Sequence, residues 1–84
     1  MRLVFLGKLA DFAGRSECAA DFDAPLDWAG LVRLVAETCG EGVATEIDSS
    51  RVRVAVNGRL AADKDTVMAT SGDEIAFLPP VSGG

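Results

Sequence analysis

The chain has 84 residues, 49% of them hydrophobic, and sets eight Lys and Arg against thirteen Asp and Glu for a net charge of −5. It is long enough for one small domain with a real core, and too acidic, with basic residues too scattered, to grip nucleic acid through its phosphates. With no histidine or tyrosine, it lacks the usual general base, and Cys18 and Cys39 are not expected to hold a metal.

Residues 2–9 open the chain as a short apolar run that reads as a strand, with Leu3 and Phe5 on one face and Val4 and Leu6 on the other. Gly7 and Lys8 interrupt that run, so neither a signal peptide nor a membrane span is expected; the location expected is cytoplasmic. There Cys18 and Cys39 would remain reduced, structural thiols. Residues 10–14 are expected to turn the chain, and residues 17–22 to return as a second strand antiparallel to the first.

The clearest helix follows. Asp27 suits an N-cap, Trp28, Leu31, Val32, Val35 and Cys39 recur at helical spacing, and Gly40 suits the stop. Residues 41–50 are a loop or a short second helix anchored by Val43 and Ile47. Residues 51–56 then alternate, with Val52, Val54 and Val56 on one face, before Asn57-Gly58 gives a strong hairpin signal and residues 59–62 return. Residues 63–73 form a polar connection with Val67 and Met68 reaching the core and Gly72 in the final turn. Residues 74–78 are the last strand.

This order predicts an α+β domain, a small mixed sheet covered on one face by one main helix. A right-handed crossover would lay the last strand parallel to the first. If Ile75 and Phe77 face the helix with Leu3 and Phe5, then Leu6 and Leu78 face away. With Leu60 they would form an apolar patch suited to a protein partner.

The ending Phe77-Leu78-Pro79-Pro80-Val81-Ser82-Gly83-Gly84 is the most unusual stretch. Two prolines lack N–H groups and cannot continue a ladder, so the sheet must end there. Residues 1–80 are therefore expected to form the domain and residues 81–84 a flexible tail. Those four residues reach roughly 14 Å when extended, enough to enter another protein's active site. Gly83 gives clearance in a narrow channel, and Gly84 presents an unhindered carboxylate. A carboxylate accepts a nucleophile only once its oxygen is made a leaving group, so the activating enzyme must be a separate protein.

Val54-Ala55-Val56-Asn57-Gly58, the segment Ser71-Gly72-Asp73-Glu74-Ile75-Ala76-Phe77 and the ending Leu78-Pro79-Pro80-Val81-Ser82-Gly83-Gly84 resemble the small, sulfur-carrying subunits of molybdopterin synthases. The Asn-Gly turn and Gly-Asp-Glu segment are shared by the wider ubiquitin-like sulfur-carrier group. The Pro-Pro-Val-Ser-Gly-Gly ending is more specific. Two features depart from the family pattern: the connection between Ala61 and Ser71 is somewhat long, and Ala10 and Asp11 stand where a basic residue often occurs.

The resemblance implies a ubiquitin-like β-grasp fold and a carrier that is not itself catalytic and binds no cofactor. An E1-like adenylyltransferase would use ATP to adenylate Gly84, and a sulfur donor would convert the adenylate to a thiocarboxylate. The tail, directed by Pro79, Pro80, Val81 and Ser82, would then enter the synthase large subunit in a heterotetramer and give sulfur to cyclic pyranopterin monophosphate. The competing readings are a sulfur carrier for thiamine, thiolated tRNA or cysteine, a ubiquitin-like protein modifier, and a plain interaction domain.

Overall fold

The computed structural model describes residues 1–21 and 25–80. Strand β1 (Arg2–Phe5) is followed by helix α1 (Lys8–Ala13) and strand β2 (Glu17–Ala19). Helices α2 (Trp28–Cys39) and α3 (Glu41–Ile47) come next, then the hairpin β3 (Arg53–Val56) and β4 (Arg59–Leu60). A 3-10 turn at Lys64–Thr66 precedes the last strand, β5 (Glu74–Leu78).

The sheet runs β2-β1-β5-β3-β4. Strand β5 is central, parallel to β1 with Leu3 beside Ile75 and Phe5 beside Phe77, and antiparallel to β3 with Val54 beside Phe77. The expected parallel crossover and the antiparallel return of β2 on β1 are both present. Side chains alternate as the register demands. Leu3, Phe5, Val54, Ile75 and Phe77 are buried, while Val4, Ala55, Ala76 and Leu78 on the other parity are only half-buried.

Helix α2 forms for local reasons that the sequence carries. The Asp27 carboxylate accepts from the Gly30 N–H at 2.9 Å, satisfying one of the free donors of the first turn. Trp28, Leu31 and Val35 face the sheet and are buried. Gly40 ends the helix at φ 109°, a conformation that disfavours a side chain. Helix α3 starts at once and buries Val43, Ala44 and Ile47, so the region expected as loop or helix is a helix, with both expected anchors inward.

The structure corrects the bounds of several elements and the placement of one side chain. The first strand ends at Phe5 and not at residue 9, and residues 10–14 are not a simple turn, because α1 occupies Lys8–Ala13. This helix is six residues long, has no side-chain cap and buries one residue, Leu9, so its periodic signal is short. The main covering helix is α2, as expected, with the short α1 and α3 beside it. Strand β2 is assigned only to Glu17–Ala19, with the remainder of the expected strand reaching into residues not described, and β4 is shortened to Arg59–Leu60. Met68 does not reach the core: it is 58% exposed, between the buried Val67 and Ala69.

The turn at Asn57-Gly58 has φ 52° and 81° at its two central residues, the positive pair that a tight hairpin matching strand twist requires.

Candidate functional site

The site is built around the exit of β5. Phe77 is fully buried, stacks on Phe5 with ring centroids 5.4 Å apart, and meets the edge of Trp28 at 6.3 Å. The last inward residue before the prolines is thus fixed by two aromatic neighbours. One more ladder bond follows, from the Leu6 N–H to the Phe77 carbonyl at 3.1 Å, and then Pro79 and Pro80 end the strand. Of the predicted tail residues, Pro79 and Pro80 are half-buried and exposed, respectively. Val81, Ser82, Gly83 and Gly84 lie outside the described residues.

Gly7, which the sequence marks only as a break in the opening apolar run, also shapes this exit. Its φ is 55°, and a Cβ placed there would lie 3.0 Å from Pro79 Cγ. A glycine is needed both for the backbone conformation and for close passage of the tail root. Nothing local in the sequence identifies Pro79 as the neighbour of Gly7.

The predicted partner residues fall on the helix-free face of the sheet. Leu6 is 41% exposed and lies beside Leu78 at the exit end, as the β1–β5 register requires. Leu60 is 48% exposed on the edge strand and sits opposite Ala55. Ala55 lies opposite Ala76, and Ala76 beside Val4, so half-buried small residues join the three leucines across the sheet. Charge borders this apolar strip. Arg53 pairs with Leu78 in the register, while Arg2 bridges Glu74 at 2.9 Å and Glu17 at 3.0 Å. These exposed ion pairs define an edge more than they stabilise it.

A second feature adjoins the exit. A groove of about 430 Å³ is lined by Gly7, Lys8, Leu9, Phe12, Glu46, Arg51, Pro79 and Pro80. Sequence reasoning missed it because its walls come from α1, α3, the approach to β3 and the tail root.

The domain itself offers little independent chemistry. Among the described residues no group of three or more His, Cys, Asp and Glu could hold a metal ion, and no buried side-chain N or O lacks a partner. Cys18 and Cys39 are free and half-buried. Burial pushes the Cys39 thiol up, and the nearby Cys18 thiol adds to that despite an opposing Thr38 hydrogen bond, so it is a poor nucleophile at neutral pH. Among the described residues no helix is long and apolar enough to cross a membrane.

A mixed sheet with a parallel central pair, one face covered by a long helix, and a strand exit carrying a Gly-Gly ending together define a ubiquitin-like β-grasp protein. The chain belongs to the ThiS family, whose model matches residues 3–84. It is similar to the crystal structure of SAMP1 from Haloferax volcanii, at 27% identity and TM-score 0.75, over 100% of this chain and 98% of that one. It shares its fold with a Pyrococcus furiosus chain assigned as molybdopterin converting factor subunit 1, at 18% identity and TM-score 0.69, over 95% of each. It does so too with the thiamine biosynthesis protein ThiS of Geobacter metallireducens, at 20% identity and TM-score 0.55, over the whole of both chains. No curated protein matches the chain.

Proposed function

We propose that this chain is the sulfur-carrier subunit of a molybdopterin synthase. The observation that carries the reading is the exit of β5: a buried Phe77, a ladder ending at Leu78, and then Pro-Pro-Val-Ser-Gly-Gly. Family membership supports sulfur carriage in general, and the Pro-Pro-Val-Ser lead-in favours the molybdopterin pathway among its branches.

In this reading a Gly84 carboxylate oxygen attacks the α-phosphorus of ATP on an E1-like enzyme, and pyrophosphate leaves. Sulfur from a donor then displaces AMP, giving a thiocarboxylate. Its sulfur is more nucleophilic than carboxylate oxygen, and enclosure in the large subunit protects it from hydrolysis until it attacks the cyclic pyranopterin monophosphate. Gly84 carries the sulfur, Gly83 gives clearance, and Pro79, Pro80, Val81 and Ser82 direct the tail. Leu6, Leu60 and Leu78 bind the partner. The reaction centre belongs to the large subunit, and ATP is consumed by the activating enzyme.

The test is the mass of the C-terminal peptide from protein purified from its own host. Replacement of one oxygen by sulfur at Gly84 is the expected result. The peptide is needed because sulfoxide at Met1 or Met68 adds nearly the same mass to the whole chain. A carboxylate that persists after incubation with ATP, the E1-like enzyme and a sulfur source overturns the reading.

A second reading, a ubiquitin-like modifier, is favoured by the likeness to SAMP1, which related structures describe as a small archaeal modifier protein. It shares the activation step and predicts an isopeptide between Gly84 and a target lysine.

A further inference from the structure

We infer that the groove beside the tail root is a second docking site, and that it receives the rim of the enzyme that adenylates the tail, through a segment combining a large apolar side chain with a carboxylate. The inference rests on the carrier reading and extends it to a surface separate from the helix-free sheet face.

The argument begins with position. Pro79 and Pro80 form one wall of the groove, and residues 81–84 carry the chain from Pro80 to Gly84. Extended, those four reach roughly 14 Å. An enzyme that must bring Gly84 to the α-phosphate of ATP therefore places the mouth of its channel close against Pro80. Whatever surrounds that mouth meets the groove. Because activation is common to the molybdopterin, thiamine and modifier readings, this contact does not depend on which pathway the chain serves.

The groove has the chemistry of a receptor. Phe12 is 59% exposed, although Leu9, three residues earlier on α1, is buried. A phenyl ring left in water beside a concave surface is a natural anchor point for an apolar side chain. Lys8 and Arg51 line the same groove against a single acid, Glu46, so its lining is net positive in a chain whose net charge is −5. Among the described residues neither cation has a carboxylate within ion-pair distance; the Arg51 guanidinium makes a 3.5 Å contact from Nε to Ser49 Oγ, which also accepts from the Arg51 backbone N–H at 3.2 Å. The basic lining selects an acidic segment, and Phe12 selects an apolar one. Lys8 is also the freer of the two lysines, since the Lys64 amine is held by the Ile47 and Ser49 carbonyls.

The experiment titrates the full chain, Phe12→Ala and the double variant Lys8→Glu/Arg51→Glu against the host's E1-like adenylating enzyme by calorimetry at two salt concentrations, with ATP–pyrophosphate exchange measured in parallel. Phe12→Ala is expected to raise Kd about tenfold, a typical effect for an interface aromatic. The charge reversal is expected to weaken binding and to flatten or invert its salt dependence. Because these side chains line an open groove, all variants should unfold at the temperature of the parent, which differential scanning checks. Variants that fold and keep the parent's Kd and salt dependence, while the parent supports exchange, overturn the groove inference and leave the carrier reading standing. Absence of exchange by the parent chain overturns the carrier reading, and the groove inference falls with it.

Discussion

Asp73 links the hairpin turn to the start of β5, and acid should loosen that link. Its carboxylate accepts from the Thr70 N–H at 2.8 Å, from the Thr70 hydroxyl and from Asn57 Nδ2 at 2.9 Å, while the Glu74 N–H donates to Asn57 Oδ1. The Thr70 N–H, aided by Asn57, holds the Asp73 carboxyl below its ordinary value. A pKa lowered by folding contributes stability above the unfolded value and loses it as pH falls through the folded one. The difference in Tm between the parent and Asp73→Asn is therefore expected to be constant above about pH 5 and to shrink between roughly pH 4 and 2. A difference that stays constant to pH 2 would show that these bonds do not distinguish the ionised form. Lys64 acts at the same scale. Its amine bonds the Ile47 carbonyl at 2.9 Å and the Ser49 carbonyl, closing the end of α3, and lies 5.0 Å from the Trp28 ring centroid. Trp28 in turn donates to Asp48 at 2.7 Å. Lys64→Met should cost about 1–3 kcal/mol in chemical denaturation, the range for charged hydrogen bonds in a half-buried setting.

At the scale of elements, legibility followed the strength of local signals. The Asn57-Gly58 turn, the Asp27 cap and the bounds of β5 each rest on a few adjacent residues, and each was readable. Helix α1 was not, since six residues with one buried side chain and no cap give the sequence too little period to show. Met68 was misplaced because the chain after Lys64–Thr66 alternates like a strand, with the backbone pairing of Ala69 to Leu26 turning Val67 and Ala69 inward and Met68 out. The leucines of the sheet face were readable by parity alone; the groove was not, because Lys8, Phe12, Glu46 and Arg51 meet only after three segments fold together. Gly7 belongs with the unreadable features and supports a prediction. Gly7→Ala puts a Cβ against Pro79 in a positive-φ conformation, which should cost about 1–3 kcal/mol and lower Tm. An unchanged Tm would mean that the link between α1 and the tail root is not the constraint described.

For the whole molecule, the division between a closed core and an outward-facing surface predicts that folding and function can be separated by mutation. The buried side chains lie between the inner sheet face and the helices, whereas Leu6, Leu60 and Leu78 lie on the other face or its edge. Leu6→Asp or Leu78→Asp should leave denaturant stability within about 1 kcal/mol of the parent, because neither position is buried in the core, yet weaken binding to the partner that receives the tail. Broad unfolding in either variant would contradict that face assignment. The sharper separation is at Gly84. Phe5, Trp28 and Phe77 pack together at the end of β5, so deleting Gly83 and Gly84 is expected to leave Tm unchanged and, on the proposed carrier reading, to abolish sulfur transfer in a reconstituted synthase. Gly84→Ala tests the same point more finely. The chain keeps its length and its carboxylate, and only a methyl group is added beside the reacting carbon. If catalysis requires near-contact alignment of that carbon in a narrow channel, transfer should fall by about tenfold to a hundredfold with no change in folding. Equal turnover by Gly84→Ala would remove the steric role assigned to the last residue, and equal activity by the truncated chain would remove the carrier role itself.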